Sequence, residues 1–129
     1  GGLPIGLSPM EDVIKECAEE ADLPAELART ARQVSEISYV MEMDGTLRQD
    51  RMFCFDLELP AEFTPFNRDG EAAEFYLWPI EKVAEIVRGT MAFKFNCNLA
   101  IIDFLIRHGL IGPGDADHAA LVKGLRQGL

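Results

Sequence analysis

Residues 8–22, Ser-Pro-Met-Glu-Asp-Val-Ile-Lys-Glu-Cys-Ala-Glu-Glu-Ala-Asp, constrain the chain more than any other stretch. Ser8, Pro9 and Glu11 place a serine at the N-cap, a proline at the first helical position and a glutamate at N3, a complete capping box. The spacing predicts a helix from Ser8 to about Ala21, stopped by Leu23-Pro24, because proline disfavours helix at the residue before it. With Glu16 set at zero and a step of about 100° per residue, Glu20 falls near ~40°, Glu19 near ~300° and Asp12 near ~320°. Met10, Val13, Ile14, Cys17 and Ala21 fall between roughly 60° and 160° on the same wheel. Such a helix must bury one stripe and carry four carboxylates on another.

The acid stripe has two readings. Acids solvate exposed helix faces, and a charge run usually means no more than that. Yet Asp12/Glu16 and Glu16/Glu20 are like-charge pairs at i,i+4, each costing a few tenths of a kcal/mol. Between Glu11 and Asp22 there are six acids and one lysine, a net −5 that is half the chain's formal −10. A hard divalent cation with oxygen ligands, Mg²⁺ or Mn²⁺, would remove that repulsion.

The other elements follow from pattern. A short helix is expected over Ala25 to Gln33, then a strand over Ser35 to Met43 with period-two alternation at Ile37, Tyr39 and Met41. Asp44-Gly45 is a hairpin dipeptide, and Arg51 to Leu59 reads as the returning strand. Residues 63–70 form a loop by their Pro, Asn, Asp and Gly content, Glu71 to Trp78 reads as another strand, and Ile80 to Val87 as a helix. Asn96 to His108 is an apolar helix closed by Gly109, and Asp115 or Asp117 caps a last short one. Strands and helices mix throughout, so the expected class is α/β or α+β in one domain over 1–129, with C-terminal helices over about 96–127.

Composition narrows the function. At 129 residues and 48% hydrophobic, the chain has enough apolar content for one domain core. Twelve basic against 22 acidic residues is the wrong balance for a nucleic-acid binder that neutralises phosphates. No apolar run reaches the roughly 18 residues of a membrane span. The N-terminus lacks the basic-then-apolar order of a secretory signal. Cys17, Cys54 and Cys97 are odd in number and far from one another and from His108 and His118, so neither a zinc site nor a disulfide framework is expected. Buried free thiols in a reducing cytoplasm are the expectation, with His108 a surface or helix-end histidine.

Residues 1–23 together resemble the Nudix box, a glycine loop followed by a helix ending in Arg-Glu-x-x-Glu-Glu-x-Gly-aliphatic. Gly1-Gly2-Leu3-Pro4-Ile5-Gly6-Leu7-Ser8 leads in, and Lys15-Glu16-Cys17-Ala18-Glu19-Glu20-Ala21-Asp22-Leu23 matches the charged core at Glu16, Glu19 and Glu20. Lys15 stands for the arginine, Asp22 for the glycine and Leu7 for the loop glutamate, in a loop one residue shorter. Ser38-Tyr39, Arg51 to Pro60, Asn67, Asp69-Gly70-Glu71 and Ile101 to Ile111 are similar to the thiamine-pyrophosphokinase-associated Nudix branch of plants, fungi and bacteria.

The resemblance implies a Nudix-type α/β/α sandwich with a mixed sheet. Its first strands would precede residue 1, so the chain reads as the C-terminal part of a longer protein. It implies a metal-dependent pyrophosphohydrolase, with thiamine diphosphate, its damaged derivatives, or a nucleoside diphosphate linked to another group as substrate candidates. Glu16, Glu19 and Glu20 would hold Mg²⁺ or Mn²⁺, joined by a carbonyl of Gly1 or Gly2. Glu19 and Glu71 would be catalytic, Glu71 as a carboxylate brought from a later loop with Glu74 as its competitor. Lys15 and Phe66 would bind substrate. The expected partner is a small-molecule diphosphate, with neither nucleic acid nor membrane, in the cytoplasm, and a homodimer is compatible with this. The competing reading is a non-catalytic ligand-binding or regulatory module on the same scaffold, which Leu7 and Asp22 favour and the complete glutamate set disfavours. Phe53, Phe55, Phe75, Tyr76 and Trp78 are expected in the core, and the loop residues Phe63 and Phe66 are better placed to stack on a ring.

Overall fold

The computed structural model describes residues 2–72, 74–90 and 92–126. The elements run α1 (Pro9–Ala21), α2 (Ala25–Ala28), β1 (Arg32–Met43), β2 (Thr46–Asp56), α3 (Ile80–Gly89), α4 (Phe95–Arg107) and α5 (His118–Gly124). The expected α+β class holds. Among the described residues the sheet is β1 paired antiparallel with β2. No helix among them is long and apolar enough to cross a membrane.

The chain forms two compact units, Gly1–Val34 with Phe55–Leu77, and Ser35–Cys54 with Trp78–Leu129. The first unit holds α1 packed on α2, and Leu23, Ala28 and Ala31 are its buried apolar residues. Helix α1 starts as its sequence dictates: Ser8 is the extended N-cap, its Oγ accepts the Glu11 N–H at 3.1 Å, and Pro9 follows. It ends at Asp22, which takes the left-handed conformation at φ 56° and donates its N–H to the Ala18 carbonyl. The family motif has glycine at this position, and the positive φ supplies the reason: glycine adopts that region without steric cost, and aspartate is one of the few other residues that tolerates it.

In the second unit α4 packs against α3 and α5. Ile37, Tyr39, Leu105 and Leu125 are buried, and Tyr39 meets Phe95 edge-on with ring centroids 5.4 Å apart. Asp103, 2% exposed, sits in this core. Its Oδ2 accepts from Ser35 Oγ at 2.6 Å and from Arg107 Nε at 2.7 Å, while Arg126 reaches its Oδ1 at 3.7 Å. Residues 125–126 lie along β1, with the Ser38 N–H donating to the Leu125 carbonyl at 3.1 Å and Ser38 bridging Arg126 in parallel. A buried carboxylate therefore ties β1, α4 and the segment after α5 together.

Several expectations need correction. The hairpin turn is tighter than the strand pattern suggested: Asp44 and Gly45 both have positive φ, 51° and 76°, the type I′ signature, so β2 begins directly at Thr46. Helix α2 stops at Ala28 because β1 already starts at Arg32. The strand expected over Glu71–Trp78 does not form among its described residues. Strand propensity is realised only against a neighbouring strand, and among the described residues the strands that pair are β1 and β2, with each other. Phe75, Tyr76 and Leu77 are exposed, Leu77 at 97%, and so is Phe53 on β2, so the core expectation fails for Phe53, Phe75 and Tyr76. Cys97 is exposed, and Cys17 and Cys54 are half-buried, so the three thiols are free as expected but not all enclosed. Residue 127, the expected end of the last helix, and Gly1 lie outside the described residues.

Replacing Asp103 leaves arginines without their buried counter-charge. Asp103→Ala is expected to lower unfolding stability by about 3 kcal/mol in chemical denaturation, and a loss below about 1 kcal/mol would show that the network is not holding the core.

Candidate functional site

The site grows from the C-terminal half of α1 and the loop over residues 63–72, all within the first unit. A helix leaves its last carbonyls without partners. Here the loop supplies them: the Phe66 N–H donates to the Ala21 carbonyl and the Asp69 N–H to the Glu19 carbonyl, both at 3.0 Å. The loop is closed on itself as well. Asn67 donates through Nδ2 to the Ala72 carbonyl and accepts the Ala72 N–H on Oδ1, and the Glu71 N–H donates to Asp69 Oδ1 at 3.0 Å. Gly70, at φ 79°, makes the turn between the two acids.

This backbone arrangement gathers three carboxylates. Oxygens of Glu20, Asp69 and Glu71 lie within 4.8 Å of one another. Glu71 is thereby brought to α1, whereas its competitor Glu74 accepts a hydrogen bond from the Tyr76 hydroxyl. Asp69 was not among the candidates. Its only sequence signal is the Asp69-Gly70-Glu71 turn, and the docking of that turn onto a helix end depends on long-range hydrogen bonds that no local pattern encodes.

The remaining candidates surround the cluster. Glu16 hydrogen-bonds Glu20 and lies 3.6 Å from Lys15. Glu19 pairs with Lys15 at 3.4 Å and lines a cavity of about 260 Å³ together with Ala18, Arg68 and Asp69. Lys15 is exposed, and its hydrogen bond and charge interaction with Glu19 raise its pKa. Phe66 is exposed beside its anchoring hydrogen bond to Ala21. Asp12 departs from the acid stripe: it is 9% exposed, and its Oδ1 has no hydrogen-bond partner among the described residues.

Electrostatics follow from this crowding. Burial, then the hydrogen bond that protonated Glu20 donates to Glu16 and the charge of Glu16, then the charge of Asp69, hold the Glu20 carboxyl above the usual carboxylate range. Burial first, then Glu20 and Glu16, push the Cys17 thiol up, so it stays protonated on the apolar stripe and is a poor nucleophile. The charge is concentrated in this unit, which holds 13 of the 22 acids and 4 of the 12 bases. Three carboxylates at such spacing could hold a hard divalent cation, which would neutralise the repulsion among Glu16, Glu20 and Asp69.

That repulsion is measurable. Glu20→Gln is expected to stabilise the metal-free protein by a few tenths of a kcal/mol, the scale of one like-charge i,i+4 pair, a rise of about 1–2 °C in Tm for a domain of this size. Saturating Mn²⁺ is expected to raise the wild-type Tm by several degrees and leave the variant nearly unmoved. A variant that gains as much from Mn²⁺ as the wild type would show that Glu20 does not hold the ion.

No protein-family model matches the chain. Individual relatives do. It is 48% identical over 129 residues to Nudix hydrolase 24, chloroplastic, of Arabidopsis thaliana, covering 99% of this chain and 35% of that protein. It is 44% identical over 126 residues to Nudix hydrolase 20, chloroplastic, of the same plant, covering 98% of the chain and 34% of that protein. An uncharacterized protein of Saccharomyces cerevisiae is 30% identical over 125 residues, with 88% of the chain and 36% of that protein covered. The chain thus spans about a third of the length of the curated relatives it matches. Both plant relatives are named chloroplastic, which overturns the cytoplasmic expectation drawn from the cysteines. The matched stretch includes the Glu16, Glu19 and Glu20 helix and the Asp69-Gly70-Glu71 loop, and over it the chain belongs to the Nudix family.

Proposed function

We propose that α1 and the 66–72 loop form the active centre of a divalent-metal-dependent pyrophosphohydrolase, with thiamine diphosphate, its damaged derivatives or a nucleoside diphosphate linked to another group as the substrate candidates. The observation that carries this reading is the meeting of Glu20 with Asp69 and Glu71 within 4.8 Å, on the helix that bears the family's glutamates. Glu20, Asp69 and Glu71, with Glu16 and Glu19 alongside, would hold Mg²⁺ or Mn²⁺. When bound, the ion neutralises phosphate charge and lowers the pKa of a coordinated water.

The chain's own groups account for the rest. A water oxygen forms a bond to one phosphorus of the diphosphate, the bridging P–O bond breaks, and the water's proton passes to a carboxylate. Glu71, exposed on its loop, and Glu19, at the cavity wall, are the carboxylates we assign to accept it. Lys15, spanning Glu16 and Glu19, supplies a positive charge that an incoming phosphate can share. Phe66 offers an exposed ring against which a heteroaromatic group can stack. The names of the plant relatives support a plastid compartment.

Glu19→Gln keeps size and hydrogen bonding but removes the proton acceptor. With phosphate release from thiamine diphosphate analogues, ADP-ribose and nucleoside triphosphates as the assay, kcat is expected to fall by about 10²-fold or more with the circular dichroism spectrum unchanged. Equal turnover by variant and wild type would remove Glu19 from the mechanism. A folded, Mn²⁺-binding wild type that turns over none of these would favour the ligand-binding module instead.

A further inference from the structure

We propose that Arg68, held in place by Asp22, binds the phosphoryl oxygens of the diphosphate at the cavity beside Glu19 and Asp69; this deepens the hydrolase reading above and rests on it.

Arg68 is the basic residue among those lining that cavity, with Ala18, Glu19 and Asp69. An anion entering this unit meets a strong excess of carboxylates, and its four bases are Lys15, Arg29, Arg32 and Arg68. Lys15 is engaged by two glutamates at 3.4 and 3.6 Å. The Arg68 backbone lies between Phe66 and Asp69, whose N–H groups are fixed to the carbonyls of Ala21 and Glu19. Its guanidinium is therefore delivered to the cavity from a pinned base. Nη1 lies 3.5 Å from Asp22 Oδ1, and both side chains are more than half exposed. A pair of that kind contributes little, so it orients the fork without trapping it. A planar guanidinium suits phosphate oxygens bidentately, which an ammonium cannot match.

Asp22 also gains an explanation. It stands where the family motif has glycine, in a left-handed conformation that glycine would adopt at lower cost. The side chain that brings this cost is the one that meets Arg68.

The test uses the full-length protein, with Arg68→Ala, Arg68→Lys, Asp22→Asn and the Arg68→Ala/Asp22→Asn double variant. It combines turnover on the best diphosphate substrate, calorimetric binding of Mg²⁺–pyrophosphate, and Mn²⁺ titration. Arg68→Ala is expected to raise KM and weaken pyrophosphate binding by about tenfold or more, with kcat and Mn²⁺ affinity within about twofold. Arg68→Lys is expected to fall between, because it keeps the charge and loses the fork. Asp22→Asn is expected to raise KM by a smaller factor that disappears in the Arg68→Ala background. An unchanged KM for Arg68→Ala, with the wild type turning over, overturns the assignment and leaves the hydrolase reading standing. A wild type without turnover, whose pyrophosphate binding still falls tenfold in Arg68→Ala, removes the hydrolase reading and keeps Arg68 as the anion-binding residue. Pyrophosphate binding that is absent from the wild type, or indifferent to Arg68→Ala, overturns the assignment. Additive effects in the double variant overturn the part given to Asp22.

Discussion

Two backbone hydrogen bonds, from Phe66 to Ala21 and from Asp69 to Glu19, organise the first unit. The end of a helix needs donors for its last carbonyls, and a loop needs acceptors for its N–H groups. Each satisfies the other here, and the chemistry follows from that exchange. Glu20 meets Asp69 and Glu71 because the loop's backbone is bonded to the carbonyls of the residues on either side of it, Glu19 and Ala21. The Asn67–Ala72 clamp and the Gly70 turn then set where Glu71 stands.

The cost of the arrangement is electrostatic. Burial first, then Glu16 and Asp69, hold Glu20 above its usual range, and nearly all the chain's net charge lies in this unit. The second unit, with 9 acids and 8 bases, is close to neutral and encloses its carboxylate, Asp103, with arginines and a serine. The same side-chain type thus serves two ends. Compensated by arginine it holds a core together, and crowded with its own kind it offers the place proposed for a cation.

What the sequence could show depended on the range of the interaction. Helix α1 was legible from Ser8 to Ala21 because capping and 3.6-residue periodicity are local, and so was the hairpin at Asp44-Gly45. The motif pointed to the helix glutamates and the loop pattern to Glu71, and of these the structure brings Glu20 and Glu71 together. Asp69 was not legible, since its approach to Glu20 depends on pairing across nearly fifty residues. The burial of Asp12 escaped the helical wheel, which assigns angles but not neighbours. Strand character over Glu71–Trp78 misled, because β propensity is expressed only beside a partner strand.

In the proposed metal site the loop completes what the helix begins. Anomalous diffraction from crystals of the full-length protein soaked in Mn²⁺ tests it most directly. The expected result is a manganese peak coordinated by Glu20 together with Asp69 or Glu71. A peak held by the helix glutamates alone, with the 66–72 loop away from it, would contradict the claim, as would a fully soaked crystal with no manganese at α1.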